Sequence, residues 1–414
     1  MQVIFKLFKG ILYAKGIKLG TLDGYERLVA AIFGTPDRVP VLLQPYIYAM
    51  HLHGLSSQKF FREPIPFIHA SYNTVRYFGV DAWSPVFDFY NIEAEALGQQ
   101  FIWGVQMEPA VNKGNFLIKE KGDLAKLRPP KPGESGRMPF VLESYRLYHE
   151  IMKMPPIAYC CSPFTMAALV RGLQTFLMDM LEDPQFVHDL MEFLSIEVVV
   201  PWIRTMIKET GTSMVVMSDA QASPPIISPK MIREFCLPYI EKVIRATSTP
   251  QCTVIDTATW GEGWVKNPRE VLDIKMDMMR SGNKLHCMRP YYLLVWQEDF
   301  EKVGIPPIRA YAEEKKICLM LNIQPILLGT GAPEMIVETV RRLIREGAGA
   351  GRFAVTINMV PVNAPVENVH VAVAAVKQFG RYPISADLNS QPFQRPTVVS
   401  FAQWVKKHGL PIED

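Results

Sequence analysis

Short apolar runs alternate with longer segments of helical periodicity along most of the chain. Apolar runs of this length, bounded by turn residues, are typical of buried strands, and the segments between them are long enough to form helices. The alternation therefore predicts repeated strand–helix units around a parallel sheet. Eight runs fit this pattern: VPVLLQ (39–44), DAWSPVFD (81–88), IAYCCS (157–162), SMVVMSD (213–219), CTVID (252–256), KLHCM (284–288), ICLMLN (317–322) and FAVTINM (353–359).

Eight parallel strands with crossover helices predict an α/β fold of the (β/α)8 TIM barrel type. We expect residues 21–414 to form one barrel domain. Residues 1–20 carry lysines at positions 6, 9, 15 and 18 between apolar residues, which predicts a basic amphipathic helical arm. After the second strand, alternation around the NKG stretch at 112–114 predicts a β-hairpin insertion.

Polar residues stand at the carboxyl ends of these predicted strands, where barrel enzymes place their catalytic groups. Each of these residues has an alternative explanation, because Asp, Asn and Ser also cap helices and turns. Strand ends that gather groups from distant parts of the chain nevertheless predict a common site. The residues are Gln44, Asp88, Ser162, Asp219, Asp256, His286, Asn322 and Asn358.

Composition and charge exclude several classes of protein. The net charge is +3 and no dense basic run with interleaved aromatic residues occurs, so we expect no nucleic-acid partner. The six cysteines are scattered without a CxxC pair, which indicates free thiols in a reducing, cytoplasmic compartment. No uncharged run approaches the roughly 18 apolar residues of a membrane span. The arm is expected to pack on its own domain or on a sister subunit of a homo-oligomer, with membrane-surface binding as the alternative.

Seven segments, in order, resemble the uroporphyrinogen decarboxylase superfamily, and specifically its corrinoid-dependent methyltransferase branch. They are YERLVAAIFGTPDRVPV (25–41), IEAEALG (92–98), SPFTMAALVRG (162–172), LEDP (181–184), SDAQASPPIISPKMIREFCLPY (218–239), LNIQPILLGTGAPEMIVETV (321–340) and PVNAPVENV (361–369). The resemblance implies a barrel whose mouth binds a flat macrocycle or a methyl donor. This fold agrees with the strand count reached independently.

The resemblance leaves two activities to be distinguished. Decarboxylase members carry an arginine motif just after the first strand, whereas this chain has LLQPYIYAMHLHG (42–54) there, without arginine. Alignment on the ALG tripeptide places Phe89 where the decarboxylase has its key aspartate, with Asp88 one step away. The resemblance therefore implies transfer of a methyl group between a small methylated substrate and the cobalamin of a partner corrinoid protein, in anaerobic one-carbon metabolism. A tetrapyrrole decarboxylase is the alternative, and a non-catalytic corrinoid-binding or scaffold protein on the same barrel is the third hypothesis.

The methyltransferase branch usually holds zinc with a His-x-Cys pair and a later Cys, and this chain departs from both. If His286 takes the histidine position, Met288 stands where the Cys should be, and Asn358 stands at the late Cys. Adjacent strand residues point to opposite faces, so Cys287 would face away from His286 on a regular strand. A bulge could bring both to zinc, and His286 and Cys287 are the candidate metal ligands.

The loss of the thiol-activating ligands implies that the substrate is not a simple thiol, and that an aryl methyl ether or a folate is more plausible. For methyl transfer, a leaving oxygen needs a proton or a cation nearby, and Asp219, His286 and Asp256 are the candidate catalytic residues. The candidate substrate-binding residues are Gln44, Tyr46, Asp88, Phe89, Asn322 and Asn358.

Overall fold

The computed structural model describes residues 2–257, 259–280 and 292–412, except for the side chains of residues 2–4 and 280. The strands are β1 (Val41–Leu43), β2 (Phe101–Ile102), β3 (Ala110–Val111), β4 (Ile157–Cys161), β5 (Met214–Ser218), β6 (Thr253–Asp256), β7 (Tyr292–Val295), β8 (Cys318–Asn322) and β9 (Phe353–Ile357).

Helices separate most of these strands, as expected for an α/β chain. They are α1 (Gln2–Ala14), α2 (Gly24–Phe33), α3 (Tyr46–Leu52), α4 (Ser57–Arg62), α5 (Pro64–Phe78), α6 (Ile92–Leu97), α7 (Met138–Met152), α8 (Pro163–Arg171), α9 (Leu173–Glu182), α10 (Pro184–Phe193), α11 (Val200–Thr210), α12 (Pro229–Met231), α13 (Leu237–Thr247), α14 (Pro268–Arg280), α15 (Gln297–Val303), α16 (Ile305–Lys315), α17 (Pro325–Thr330), α18 (Pro333–Gly347), α19 (Val366–Phe379) and α20 (Phe401–His408). Short 3₁₀ or π-helical segments occur at Lys121–Lys126, Leu194–Val199, Ile232–Cys236 and Glu262–Trp264.

The chain divides into two compact units. The first consists of Met1–Leu55, Ile68–Ser84 and Tyr291–Asp414, and the second of Ser56–Phe67 and Pro85–Pro290. The prediction of a single closed barrel over residues 21–414 stays a prediction.

The first unit contains a parallel sheet in the order β1-β9-β8-β7. Its register pairs Val41 with Val355, and Leu319 with Phe353. Every residue of β8 and β9 is buried. Strands that are covered on both faces read as continuous apolar runs, and this is why both could be recognised in the sequence.

The N-terminal arm is the helix α1, which packs on α2 within the first unit. Lys9 Nζ lies 2.6 Å from Glu26 Oε2, and a Cβ added to Gly10 would lie 2.7 Å from a methyl carbon of Val29, so the two helices approach closely. Phe5 and Phe8 remain exposed on the other side of α1. Within the described part of the chain, no helix combines the length and the apolarity that a bilayer-spanning segment needs.

The second unit contains a parallel sheet in the order β4-β5-β6. Its register pairs Ala158 with Val215, and Val216 with Ile255. The three strands run in the same direction, so the residues that follow their last apolar positions lie at the same edge of this sheet. This edge carries the candidate site.

Six of the eight predicted strands coincide with β1, β4, β5, β6, β8 and β9. The predicted strand at 81–88 is wrong, because it is reduced to a single bridge between Leu42 and Ala82. Pro85 has no N–H to continue a ladder there. The predicted strand at 284–288 lies outside the described residues. Besides β9, β8 pairs with β7, a strand that the sequence pattern did not predict.

A short antiparallel ladder does follow the second predicted strand. It pairs Phe101 with Val111 and Ile102 with Ala110. Its connection is formed by residues 103–109, so the NKG stretch follows the ladder and does not form its turn. There the side chain of Asn112 accepts a hydrogen bond from the N–H of Gly114 at 3.1 Å, which makes a local turn.

Candidate active site

Two aspartates stand at the carboxyl ends of neighbouring strands in the second unit. Asp256 is the last residue of β6 and pairs in register with Met217, while Asp219 directly follows β5. Both side chains are fully buried. A buried carboxyl group is costly unless it is paired, hydrogen-bonded or protonated, so the contacts of these two groups decide their chemistry.

Asp219 is held by the start of helix α8. Its Oδ1 accepts a hydrogen bond of 2.6 Å from the hydroxyl of Thr165 and one of 3.0 Å from the N–H of the same residue. The other oxygen, Oδ2, has no hydrogen-bond partner among the described residues. One side of the carboxyl group is therefore fixed and the other is free.

Asp256 has a similar division between its two oxygens. The hydroxyl of Ser162 donates a short hydrogen bond to Oδ2. Oδ1 is buried and has no partner in the described part of the chain. The β4–α8 junction thus supplies one hydroxyl to each aspartate: Ser162, between the strand and the helix, donates to Asp256, and Thr165, in the first turn of α8, donates to Asp219.

The surroundings oppose ionisation of both carboxyl groups at once. Burial raises the pKa of Asp219 above its ordinary range. Burial and, next, the charge of Asp219 raise the pKa of Asp256 well above its ordinary value of 3.8. No lysine, arginine or histidine of the described residues forms an ion pair with either. Two carboxyl groups buried in one apolar site resist being charged together, so one of them can keep a proton and serve as an acid.

Hydroxyl and aromatic groups lie close to β4 and β5, with Ser218 at the end of β5 and Tyr159 in the middle of β4. The hydroxyl of Tyr90 lies 2.8 Å from the hydroxyl of Ser218. The ring of Phe89 stacks on Tyr159 at 5.5 Å between centroids and lies 4.4 Å from the ring of Tyr90. Phe89, a predicted substrate-binding residue, is therefore part of an aromatic group beside the sheet edge. Such surfaces suit apolar rings.

Two residues of this region were missed in the sequence. Tyr90 carries no motif and follows Phe89, so nothing in the pattern singles it out. Glu93 lies in the IEAEALG segment, and its position in a matched segment was the available signal. Its Oε1 accepts a hydrogen bond of 3.2 Å from the N–H of Cys161, and burial raises its pKa to about 8.

Asp88 has a different environment from the one predicted for a substrate-binding group. Arg137 donates to both of its oxygens, at 2.7 and 2.6 Å, and Asn91 donates to Oδ2 at 2.9 Å. Asp88 and Arg137 are both buried. The guanidinium group binds both oxygens of this carboxylate, and the substrate-binding role of Asp88 stays a prediction.

The remaining predicted substrate-binding residues belong to the first unit. Asn322 Oδ1 accepts hydrogen bonds from the hydroxyl of Thr356 at 3.0 Å and from the N–H of Asn358 at 2.9 Å. These bonds bring Asn322 and Asn358 together at the ends of β8 and β9. The N–H of Gln44 donates to Ile357 O at 3.1 Å, and Tyr46 is buried at the start of α3 with a φ of 43°.

The predicted metal ligands His286 and Cys287 lie outside the described residues. The structure therefore does not test the catalytic role predicted for His286. Among the residues that the structure does describe, no group of three or more His, Cys, Asp or Glu side chains is placed to hold a metal ion. These residues alone do not fit a zinc site, and we derive no step through zinc.

Comparisons with known proteins give one family and two kinds of relative. The sequence profile of the uroporphyrinogen decarboxylase (URO-D) family matches residues 24–379. Methylated-thiol–coenzyme M methyltransferase of Methanosarcina mazei is 29% identical over 176 residues, which cover 42% of this chain and only 46% of that relative. Uroporphyrinogen decarboxylase of Thermus thermophilus is 25% identical over 287 residues, covering 66% of this chain and 75% of the relative.

A solved structure shares the fold. It is a methyltransferase from Methanosarcina mazei, with a TM-score of 0.65 and 18% sequence identity, and the match covers 86% of this chain and 98% of that one. At this identity the likeness concerns the fold alone.

Proposed function

Because the chain belongs to the uroporphyrinogen decarboxylase family, we propose that it is a methyltransferase on a closed (β/α)8 barrel. It moves a methyl group between a small methylated compound, such as an aryl methyl ether or a folate, and the cobalt of a corrinoid carried by a partner protein. The observation that carries the proposal is the buried pair of Asp219 and Asp256, which has no cationic partner among the described residues and keeps one free oxygen on each side chain.

Methyl transfer to a reduced corrinoid is a displacement at carbon, so the corrinoid is the nucleophile and the enzyme has three tasks. It must orient the methyl donor, exclude water and stabilise the leaving group. The Asp219–Asp256 pair serves the last task as a proton source, and the aromatic group of Phe89, Tyr90 and Tyr159 orients an apolar donor. The similarity to a methyltransferase of Methanosarcina mazei supports this reaction class.

Tetrapyrrole decarboxylation is the second candidate, because the Thermus relative is matched over a larger share of its length. Two features of this chain oppose it. The segment 42–54 has no arginine to pair with substrate carboxylates. Asp88, the carboxylate nearest the decarboxylase position, is occupied by Arg137.

The cellular setting belongs to the same proposal. The described cysteines are free and buried, which supports a reducing cytoplasm as the compartment. A corrinoid protein as partner supports a place in anaerobic one-carbon metabolism.

The test mixes the purified protein with a reduced corrinoid protein and a series of methyl donors. Growth of methylcobalamin absorbance with at least one donor is the expected result. No spectral change with any donor, together with release of carbon dioxide from a porphyrinogen, would replace the proposal by the decarboxylase candidate.

A further inference from the structure

We propose that Asp256 carries the single proton of the buried pair and donates it to the leaving heteroatom of the methyl donor, while Thr165 holds Asp219 as the charged member. This inference rests on the methyltransferase function proposed above. It assigns different roles to two aspartates that the sequence could not distinguish, and it limits the chemical class of the donor.

The hydrogen bonds around Thr165 have a fixed direction. The N–H of Gln221 donates to the Thr165 hydroxyl at 2.9 Å, and a backbone N–H can only donate. The hydroxyl proton of Thr165 therefore points to Asp219 Oδ1, which also receives the N–H of Thr165. An oxygen that accepts two such bonds is best satisfied as a carboxylate.

The position of Asp219 at a helix N-terminus strengthens this assignment. Thr165 is the third residue of α8, and the side chain of Ser162, which precedes the helix, makes no capping bond. Asp219 takes the place of a capping group from another strand. The N-terminal N–H groups and the helix dipole both favour a negative charge there.

Asp256 has no comparable set of donors. Its side-chain contact in the described part of the chain is the hydroxyl of Ser162, and a hydroxyl can rotate to donate or to accept. This contact is compatible with a protonated Asp256. Its free Oδ1 has no partner among the described residues, which leaves that oxygen for a substrate.

Within residues 2–257, 259–280 and 292–412, the titratable groups that interact with Asp256 from other elements are neutral, apart from Asp219. They are Tyr90, Cys160, Cys161 and Cys236, and burial raises the pKa of each. None of them offsets the negative charge of Asp219. The remaining way to relieve the repulsion is a proton on Asp256.

The transfer then balances as follows for a methoxy compound. The reduced corrinoid supplies the electron pair of the new bond to the methyl carbon, and the bond between that carbon and oxygen breaks. Both electrons of the broken bond stay on the oxygen, which takes the proton of Asp256. The demethylated compound then leaves as a neutral alcohol or phenol. Asp256 becomes a carboxylate and is reprotonated from water after product release.

This proton requirement selects the class of donor. A neutral O-methyl compound leaves as an anion and needs a proton, whereas a cationic N-methyl compound leaves as a neutral amine and needs none. The assignment therefore favours a neutral aryl methyl ether over a quaternary ammonium compound.

The experiment compares Asp256→Asn with the wild-type protein on two probes, methoxybenzene and 4-nitromethoxybenzene, using a reduced corrinoid protein as acceptor. We expect the rate on methoxybenzene to fall by about 10²–10⁴-fold, the usual contribution of a general acid. The rate on the nitro compound should fall much less, because nitrophenolate leaves without a proton. Equal losses on both probes would overturn the inference and leave the methyltransferase function intact.

Thr165 is tested as a positioning residue with two variants. Thr165→Val removes the hydroxyl and should lower the rate on methoxybenzene selectively, while Thr165→Ser should restore most of it. Equal rates for the two variants would overturn the role of Thr165. If the wild-type protein transfers a methyl group from neither probe, the inference is overturned. The proposed function fails only if no donor of the wider series gives methylcobalamin absorbance.

Discussion

Two sets of buried carboxyl groups in the second unit differ in the way that their charge is managed. Asp88 is bound by the guanidinium group of Arg137 and by Asn91, and every contact suits a permanent carboxylate. Asp219 and Asp256 are buried to the same degree, yet they have hydroxyl and N–H donors but no cation among the described residues. The first arrangement pairs a carboxylate with a cation, and the second leaves two carboxyl groups without one, which is the basis of the proton proposed on Asp256. Burial alone therefore does not identify a functional carboxylate.

The largest expected loss of stability comes from removing the cation that binds Asp88. Arg137→Met should lower the free energy of unfolding by about 3–5 kcal/mol, because it leaves Asp88 buried and unpaired. Urea unfolding of the variant measures this loss. A change below about 1 kcal/mol would show that the burial of Asp88 does not depend on the guanidinium group. The contrast between Asp88 and the Asp219–Asp256 pair would then not hold.

The second effect is the pH dependence that the buried pair of Asp219 and Asp256 gives to the free energy of unfolding. The pKa of Asp256 is raised in the folded protein, so its contribution to stability is complete below its ordinary value of 3.8 and is lost as the pH rises toward the folded value. Each pH unit in this window should cost about 1.4 kcal/mol in the wild-type protein. Asp256→Asn should lack this part of the slope.

A matched control for that measurement is Asp189→Asn, which replaces an exposed carboxyl group on α10. Its unfolding free energy should follow the wild-type pH dependence between pH 4 and 8. If Asp256→Asn also follows the wild type, the buried pair holds no extra proton.

A smaller effect is expected at the strand ends of the first unit. Asn322→Ala should cost about 1–3 kcal/mol, because the N–H of Asn358 and the hydroxyl of Thr356 lose their buried acceptor. Chemical denaturation detects the change, with the exposed Asn389→Ala as control. An unchanged free energy of unfolding would show that these hydrogen bonds do not stabilise the fold. Substrate binding would then remain the role predicted for Asn322.

The smallest effect is expected at a surface ion pair on α7, the helix that directly follows Arg137. Arg146 lies on α7 and is bonded to Glu143 and Glu209 at the exposed surface. Arg146→Met should change the unfolding free energy by less than about 1 kcal/mol. A loss as large as that of Arg137→Met would mean that burial does not separate the two arginines.

The sequence predicted the α/β class, and the family match over residues 24–379 confirms the family that its motifs indicated. Buried parallel strands such as β8 and β9 are continuous apolar runs, so they are visible without a structure. The segment at 81–88 was wrongly predicted to be a strand because its apolar composition was given more weight than Pro85, which cannot donate a ladder hydrogen bond. β7 has only four residues, and the sequence analysis predicted a strand at 284–288, around His286 and Cys287, instead.

The candidate site was predictable in part. Asp219 and Asp256 were selected because strand ends are defined by the apolar run that precedes them, and the structure places both at neighbouring strand ends. Their catalytic role stays a prediction. The same rule selected Asp88, and it could not reveal that Arg137, distant in the sequence, binds this carboxylate. The role of Thr165 was also hidden, since it depends on the direction of hydrogen bonds between elements.

Infrared difference spectroscopy of the purified protein tests the central claim most directly, because a protonated carboxyl group absorbs apart from carboxylates. We predict a band of a buried carboxylic acid at neutral pH that disappears in Asp256→Asn and persists in Asp219→Asn, where it should titrate at lower pH. Glu93→Gln accounts for the other buried carboxyl group of this region, whose pKa is raised to about 8. A band unchanged by Asp256→Asn, or removed only by Glu93→Gln, would contradict a proton held on Asp256.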